Sequence, residues 1–409
     1  MLKGHDIVGV GLLNWENDYT KSTMQLLSEL SGDNQVLFVN YACTVKDIWQ
    51  YFRKQKQIPL AQVIGYKDRL SCHQLDDGRE VYVLIPPPML PINQLRPGWL
   101  YNALLRWNTH RITKSTRRAM QRLGFKTPIV LNALHPTVGI GMAGKLSEKA
   151  LVYYCYDAIE AETWSRAHGQ VAEEQLLQQA DAVITSSNSL YTSKRRLQPN
   201  CFLVENGVDI PLFRRANVSR INRESKTIGY IGSIDNRLDI DLLERCFHQF
   251  PDFRFLFVGR VPDPALAQRL GRFSNVMLAG SQPPSSLPEF LTKMDVGLIP
   301  FYLNEQTKAI YPLKINEYLA AGLPVVSTNF TDLTAFEPVV SISPSADEFI
   351  AAIEAALVET NPDLPKQRLL FAEANSWENR GRQFGEVLAN VLAQKSTLSP
   401  NTVVPDYIV

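Results

Sequence analysis

Residues 311–328, YPLKINEYLAAGLPVVST, read as a helix that runs straight into a buried strand. Pro312 suits the first helical turn, where its missing N–H costs nothing. Leu313, Glu317 and Ala320/Ala321 recur at helical spacing. Gly322 stands where a left-handed cap ends a helix, and Pro324 blocks continuation. Val325 and Val326 then open a short apolar strand. Lys314 and Glu317 are three apart and share one helix face. Lys314 falls in the first turn, where unpaired N–H groups and the helix dipole also favour an anion. Glu317 can accept two hydroxyl hydrogen bonds. A cation at a helix start for a diphosphate, with a carboxylate one turn on for a ribose, meets the needs of a nucleotide-sugar site. An i,i+3 ion pair on a solvated helix would give the same pattern.

Before this stretch, strands alternate with helices from Lys226 onward. Thr227–Ile231 reads as a strand leading into Gly232, and 239–250 as a helix. Residues 253–258 form a strand ending at Gly259-Arg260; 276–279 and 296–300 continue the series. Asn375-Ser376-Trp377-Glu378 opens a last helix to about Leu392, with Ser376 as N-cap. The tail from 396 is expected to be disordered.

The first half shows the same alternation. Residues 6–13 (DIVGVGLL) form a near-continuous apolar run, as a doubly covered parallel strand requires. A helix follows, capped by Thr20 or Ser22, and then the strand 35–40. Asn14 stands where a dinucleotide fingerprint needs glycine, so GxGxxG binding is not supported. A helix is expected over 46–56, and strands over 79–85, 128–134, 151–156 and 182–185. Ligands of such sheets bind beyond the carboxyl ends of the strands. His135 and Asp157 both sit at predicted strand ends and point to that edge. Asp157 is a candidate base, with a capping or loop carboxylate as the alternative; His135 is a candidate acceptor contact.

The chain has 409 residues, enough for two domains, with 45% hydrophobic and 20% charged residues. A net charge of +1 gives no global field for nucleic acid. No stretch reaches the ~20 apolar residues of a membrane span, and the N-terminal run reads as a strand rather than a signal peptide. Five scattered cysteines without CxxC fit a reducing cytoplasm and argue against a zinc site. From Val81 to Ser147 there is no Asp or Glu, but nine Lys/Arg. Arg111, Lys114, Arg118 and Arg122 share one helical face, with Trp99, Leu100, Tyr101, Leu104, Leu105 and Trp107 ahead of them. A basic helix with aromatic neighbours at 99–122 can meet an anionic membrane or a pyrophosphate-linked acceptor. A solvated face paired with acids elsewhere would read the same way.

Glu317, Gly322, Pro324, Val325 and Val326 resemble the donor-site helix of GT-B glycosyltransferases. ENGVD (205–209) resembles the GT-B domain junction, YIG (230–232) the first turn of the donor domain, and DVGLIPF (295–301) the run before the donor helix. SWENR (376–380) is similar to the helix that crosses back to the first domain. The chain is thus identified as similar to family 4-like, group 1 glycosyltransferases. LVYYCYD (151–157) also resembles the catalytic-Asp placement of bacterial exopolysaccharide glucuronosyltransferases.

The resemblance implies an α/β GT-B fold of two Rossmann-like domains: an acceptor domain over 1–212, a linker over 213–225, a donor domain over 226–375 and a crossover helix over 376–395. It implies a metal-independent hexosyltransferase that takes a nucleotide-diphosphate sugar as substrate, with no cofactor. The acceptor would be a glycan or lipid-linked glycan of cell-surface polysaccharide synthesis, at the inner face of the membrane. Donor contacts would be Gly232, Arg237, Arg260, Tyr311, Pro312, Leu313, Lys314 and Glu317. Asn14, His135 and Asp157 would meet the acceptor, with Asp157 and Lys314 catalytic. Three positions depart from the common retaining pattern: Ala309 replaces its first Glu, and Ser233 and Leu238 replace its Arg and Lys. Arg237, Arg260 and Lys308 are the cations available to substitute. A GT-B sugar-nucleotide 2-epimerase and a non-catalytic sugar-nucleotide-binding protein are the alternatives; the basic stretch argues for an acceptor and so against the epimerase.

Overall fold

The computed structural model describes residues 2–15, 22–159, 168–216 and 226–398. Eight strands form the first sheet: β1 (Asp6–Gly11), β2 (Gln35–Val39), β3 (Leu70–Gln74), β4 (Glu80–Leu84), β5 (Ile129–Ala133), β6 (Ala150–Cys155), β7 (Ala182–Thr185) and β8 (Cys201–Leu203). Their order is β3-β4-β2-β1-β5-β6-β7-β8, all parallel except the β3–β4 pair. The second sheet holds β9 (Thr227–Ile231), β10 (Arg254–Val258), β11 (Val276–Leu278), β12 (Val296–Ile299), β13 (Val325–Thr328) and β14 (Ser341–Ser343), in the order β11-β10-β9-β12-β13-β14 and fully parallel. The expected α/β class and two-domain GT-B arrangement are therefore present.

The central strands are apolar on both faces because helices cover both. In the first sheet Val8, Val10, Val130 and Tyr153 are buried on one face, and Ile7, Leu131 and Tyr154 on the other. Register is fixed by these runs, with Val8 opposite Leu37 on one side and Val130 on the other. Strand order reverses at β1 and again at β9, and a crevice opens at the carboxyl end of each. β3 has no such signal in sequence. It is a polar edge strand, folded back on β4 through a turn at Gly78, whose φ is +84°.

The domains are joined by two adjacent crossings. Residues 205–209 lead across, and 375–377 lead back; Val208 N–H donates to Asn375 O (3.0 Å) and Trp377 N–H to Val208 O (3.1 Å). A Cβ on Gly207 would lie 2.8 Å from Trp377 N, so only glycine allows this approach. The helix Trp377–Leu398 then lies on the first domain against Ser22–Leu30, where a Cβ on Gly381 would stand 2.4 Å from Glu29 Cβ. Trp377, Phe384, Leu388 and Val391 complete that core.

Three boundaries differ from expectation. Val208, Phe213 and Ala216 already pack in the second domain's core, so the chain crosses before 213 rather than over 213–225. The last helix continues to Leu398, so 396–398 are helical rather than part of a disordered tail. Pro312 is the N-cap of the helix Leu313–Ala320, with φ −80° and ψ 79°, and not its first turn. Thr20 lies outside the described residues; Ser22 begins the helix rather than capping it. Ser376 does cap its helix, accepting from Asn379 N–H at 3.2 Å.

Candidate active site

The second domain presents two abutting glycine turns. Gly232 follows β9 at φ +139°, and Gly259 follows β10. A Cβ on Gly259 would fall 1.8 Å from Gly232 O, and one on Gly232 would meet Tyr230 Oη at 2.8 Å. The floor here is bare backbone, which a phosphate can approach closely. Over it stands the helix Leu313–Ala320, ended by Gly322 at φ +71°. Tyr318 anchors it. Gly297 in β12 leaves room for the Tyr318 ring, whose Oη accepts from Ile231 N–H at 2.8 Å. The helix is thereby fixed against the end of β9.

Lys314 and Glu317 face the cleft together, Nζ to Oε1 3.2 Å. Glu317 Oε2 is buried without a hydrogen-bond partner. Burial raises its carboxyl above the usual range, and Lys314 offsets this only in part. A buried acceptor left open is costly unless a ligand fills it. Gly232, Gly259, Arg260, Leu313, Lys314 and Glu317 line a cleft of about 490 Å³, closed from the other domain by Ser22 and Gln25.

Other expected donor contacts lie elsewhere. Tyr311 is buried, its Oη accepting from Asn316 Nδ2 at 2.8 Å and its ring packed on Phe336, so it is a core residue. Pro312 is also buried. The N–H groups of Leu313 and Ile315 donate to Tyr311 O and Pro312 O (2.9 and 3.0 Å), which removes them from the expected anion site. Arg237 lies outside this cleft. It grips Asp235 with two bonds of 2.8 and 2.7 Å. Burial pulls its pKa down, but Asp235 more than compensates, and Tyr230 and Asp157 add to the rise. Arg237 is therefore committed to Asp235 and feels the charge of Asp157, in the opposite domain, only weakly.

The first domain holds a larger cleft, about 730 Å³, at the carboxyl ends of β1, β5 and β6. His135, Tyr156 and Asp157 line it, and Leu12 and Leu13 bring the half-buried Asn14 to its edge. His135 follows Leu134, which takes φ +51°, a conformation a leucine rarely adopts. Asn132 secures the turn, donating to His135 O and accepting from His135 N–H, both at 3.0 Å. His135 is buried, its Nδ1 lacks a partner, and burial lowers its pKa to about 4. It is a neutral imidazole at pH 7. Asp157 Oδ1 accepts from Ala158 N–H at 2.9 Å.

Sequence reasoning missed several groups here. Asp47 and Lys56 pair at 2.5 Å within the cleft. Burial pushes the Asp47 carboxyl upward, but Lys56 and Thr44 outweigh it and hold the pKa low. Tyr101 and His168 stack at 3.6 Å between centroids. Beneath the sheet Lys194 meets Glu173 at 2.7 Å, and Glu173 also accepts from Tyr153 Oη at 2.8 Å. Only the Thr44-x-x-Asp47 capping box carried a local signal. Of the substitute cations, Arg260 is exposed in the donor cleft and Lys308 pairs with Glu305. Ala309 is buried with the first domain's core, and its carbonyl accepts from Ser187 Oγ at 2.8 Å. Among the described residues, no three His, Cys, Asp or Glu side chains form a metal-ligand group.

Residues 225–359 match the family model described as Glycosyl transferases group 1. That match lies within the second domain and includes the helix Leu313–Ala320 with Lys314 and Glu317. TuaH of Bacillus subtilis (strain 168), whose name describes a teichuronic acid biosynthesis glycosyltransferase, is 33% identical over 230 residues. That match covers 52% of this chain and 57% of TuaH, little more than half of the relative's length. Among solved structures, sucrose-phosphate synthase from Thermosynechococcus elongatus superposes with a TM-score of 0.66 at 16% identity, covering 95% of this chain and all (100%) of that one. The α,α-trehalose 6-phosphate synthase from Burkholderia multivorans gives 0.65 at 11%, with 97% and 100% covered. At such identities these two speak for the fold. No helix among the described residues is long and apolar enough to cross a membrane.

Proposed function

We propose that the chain is a glycosyltransferase that moves a hexose from a nucleotide-diphosphate sugar to a glycan or lipid-linked acceptor in cell-surface polysaccharide biosynthesis. The observation that carries this is the Lys314–Glu317 pair above the Gly232 and Gly259 turns, with Glu317 Oε2 buried and unpartnered. Glu317 would bind the ribose. Lys314 and the bare glycine backbone would bind the diphosphate and stabilise the charge that grows on it as the glycosidic bond breaks. Leu313 and Arg260 complete the walls of that cleft.

The acceptor would lie in the first-domain cleft, against His135 and Asn14, with its hydroxyl toward Asp157. In an inverting reaction Asp157 takes the hydroxyl proton as the anomeric carbon is attacked. In a retaining reaction the leaving phosphate takes it. The transfer needs no metal and no cofactor, and EDTA leaves its rate unchanged. The chain works in the cytoplasm, at the inner membrane face, and the helix Trp99–Leu123 meets the anionic surface. The relative named for teichuronic acid synthesis supports a cell-surface glycan as product.

Thermal stabilisation by UDP-, GDP-, ADP- and dTDP-sugars tests the donor side, on the wild type and Glu317→Ala. Occupancy at ~100 Kd adds about 2.7 kcal/mol. A response to one nucleotide, lost in the variant, supports the site; no response to any of them removes it.

A further inference from the structure

The helix Trp99–Leu123 carries a feature that neither cleft uses. At the outer edge of the first sheet, where β3 begins and β4 ends, Arg69, Arg111, Lys114 and Arg118 border a depression of about 240 Å³. An adjoining hollow of about 310 Å³ shares Arg69 and Arg118 and continues to Lys67 and Arg122. This edge is the carboxyl side of β4, the same side of the sheet as the acceptor cleft.

The cations are built in and unbalanced. Arg69 is half-buried, with Nε donating to Gln62 O and Nη2 to Val63 O, both at 3.0 Å. Arg111 is half-buried too; Nη1 donates to Pro88 O at 3.1 Å, and its guanidinium lies 4.6 Å from the Trp107 ring centroid. Arg122 pairs with Asp68 at 2.6 Å. Among the described residues, Arg69, Arg111, Lys114 and Arg118 have no carboxylate partner. Crowding shows on Arg69: burial lowers its pKa first, and Arg111 and Arg118 lower it further. Folding gathers like charges here without an acid to balance them, which an anion would relieve. Two large aromatic side chains lie open at the patch, Trp107 under Arg111 and Tyr66 (85%) in the adjoining hollow, and Trp99 (80%) and Leu100 are exposed at the start of the same helix.

We infer that Arg69, Arg111, Lys114 and Arg118 form a phosphate-binding site, separate from the donor and acceptor clefts, which takes the phosphate of an anionic lipid headgroup or a soluble diphosphate. Arginine forks supply paired donors suited to phosphate oxygens. The exposed aromatics suit a headgroup layer. This deepens the membrane part of the proposed function and does not depend on the donor chemistry.

The test compares the wild type with Arg111→Gln/Arg118→Gln. One arm measures flotation at low salt with phosphatidylcholine vesicles, with and without phosphatidylglycerol. The other titrates inorganic diphosphate in a Lys314→Gln background, so that the donor cleft does not compete. Loss of two basic contacts weakens vesicle partition about 30-fold. Weakening on phosphatidylglycerol vesicles assigns the site to lipid phosphate; weakening for diphosphate alone assigns it to a soluble ligand. Binding by the variant equal to wild type in both arms overturns the inference, as does a wild type that binds neither. Lys114→Gln/Arg118→Gln, at two exposed positions, repeats the test without disturbing the Arg111–Trp107 stack. Donor-sugar stabilisation, measured on Arg111→Gln/Arg118→Gln and Lys114→Gln/Arg118→Gln with Lys314 intact, stays at the wild-type value and so separates this result from the donor reading.

Discussion

Glu317→Gln separates binding from stability. The isostere keeps the volume of the side chain but loses its charge and one acceptor oxygen. Hydrogen bonds to a charged group contribute about 1.5–3 kcal/mol each. Weakening two bonds to a ribose therefore costs about 3 kcal/mol, roughly two orders of magnitude in donor affinity. The unliganded protein responds in the opposite sense. The folded state raises the Glu317 carboxyl above its unfolded value, by burial first, against the partial relief from Lys314. A carboxyl raised on folding favours the folded state below its unfolded pKa, and that advantage is lost as pH rises through the folded value. Wild type is thus held back at pH 7 relative to pH 4. The variant escapes this, so its melting temperature relative to wild type rises between pH 4 and pH 7. Isothermal titration with the responsive nucleotide sugar and melting curves across this range read both effects. Wild-type donor affinity in Glu317→Gln would refute the assignment of the open Oε2 to the ribose.

If the reaction inverts, Asp157→Asn leaves donor affinity unchanged and lowers kcat by about 10²–10⁴-fold in a transfer assay, the contribution of a general base. His135 has a pKa of about 4 when folded and 6.5 when unfolded, so it withdraws stability as pH falls from 6.5 to 4, about 3 kcal/mol in all; urea unfolding of His135→Asn shows a shallower loss over that window. Lys194→Met strands the buried Glu173 carboxylate and costs about 3–5 kcal/mol, most of it recovered by Glu173→Leu in the same chain, as denaturant midpoints will show. Ala309→Glu places a carboxylate in the first domain's core and lowers stability by several kcal/mol without raising activity, read by melting and turnover together.

The strands were legible where both faces are covered, because parallel strands such as β1, β5 and β9 must be apolar at nearly every position. β3 escaped for the converse reason: Leu70–Gln74 lies at an edge and most of its side chains face water. Lys314–Glu317 was legible because the contact is local, three residues apart on one helix. Glu173–Lys194 and Asp47–Lys56 are made by tertiary folding, across 21 and 9 residues, and no periodicity announces them. Arg237 shows the opposite hazard. A cation at a promising spacing is taken by Asp235, two residues away, and does not line the donor cleft. Tyr311 shows another: its place beside the donor helix says nothing of direction, and its ring enters the core.

The departures from the retaining pattern have a common structural sense. Ala309 lies where the second domain touches the first, and Ser187 Oγ reaches its carbonyl at 2.8 Å. Asn188, next in the chain, donates to Asp332 at 2.9 Å on the same side. A side chain with a carboxylate at 309 would have to enter this contact rather than the donor cleft. Leu238 is fully buried in the second domain and cannot present a charge there. What remains on the donor side is Lys314, exposed Arg260 and two bare glycine turns, with Glu317 as the acid. Arg237, beside these positions, is held by Asp235 at 2.7 Å and does not line the donor cleft. The second domain that carries these donor-side groups joins the first through the two crossings at 205–209 and 375–377, tied by backbone hydrogen bonds at Val208.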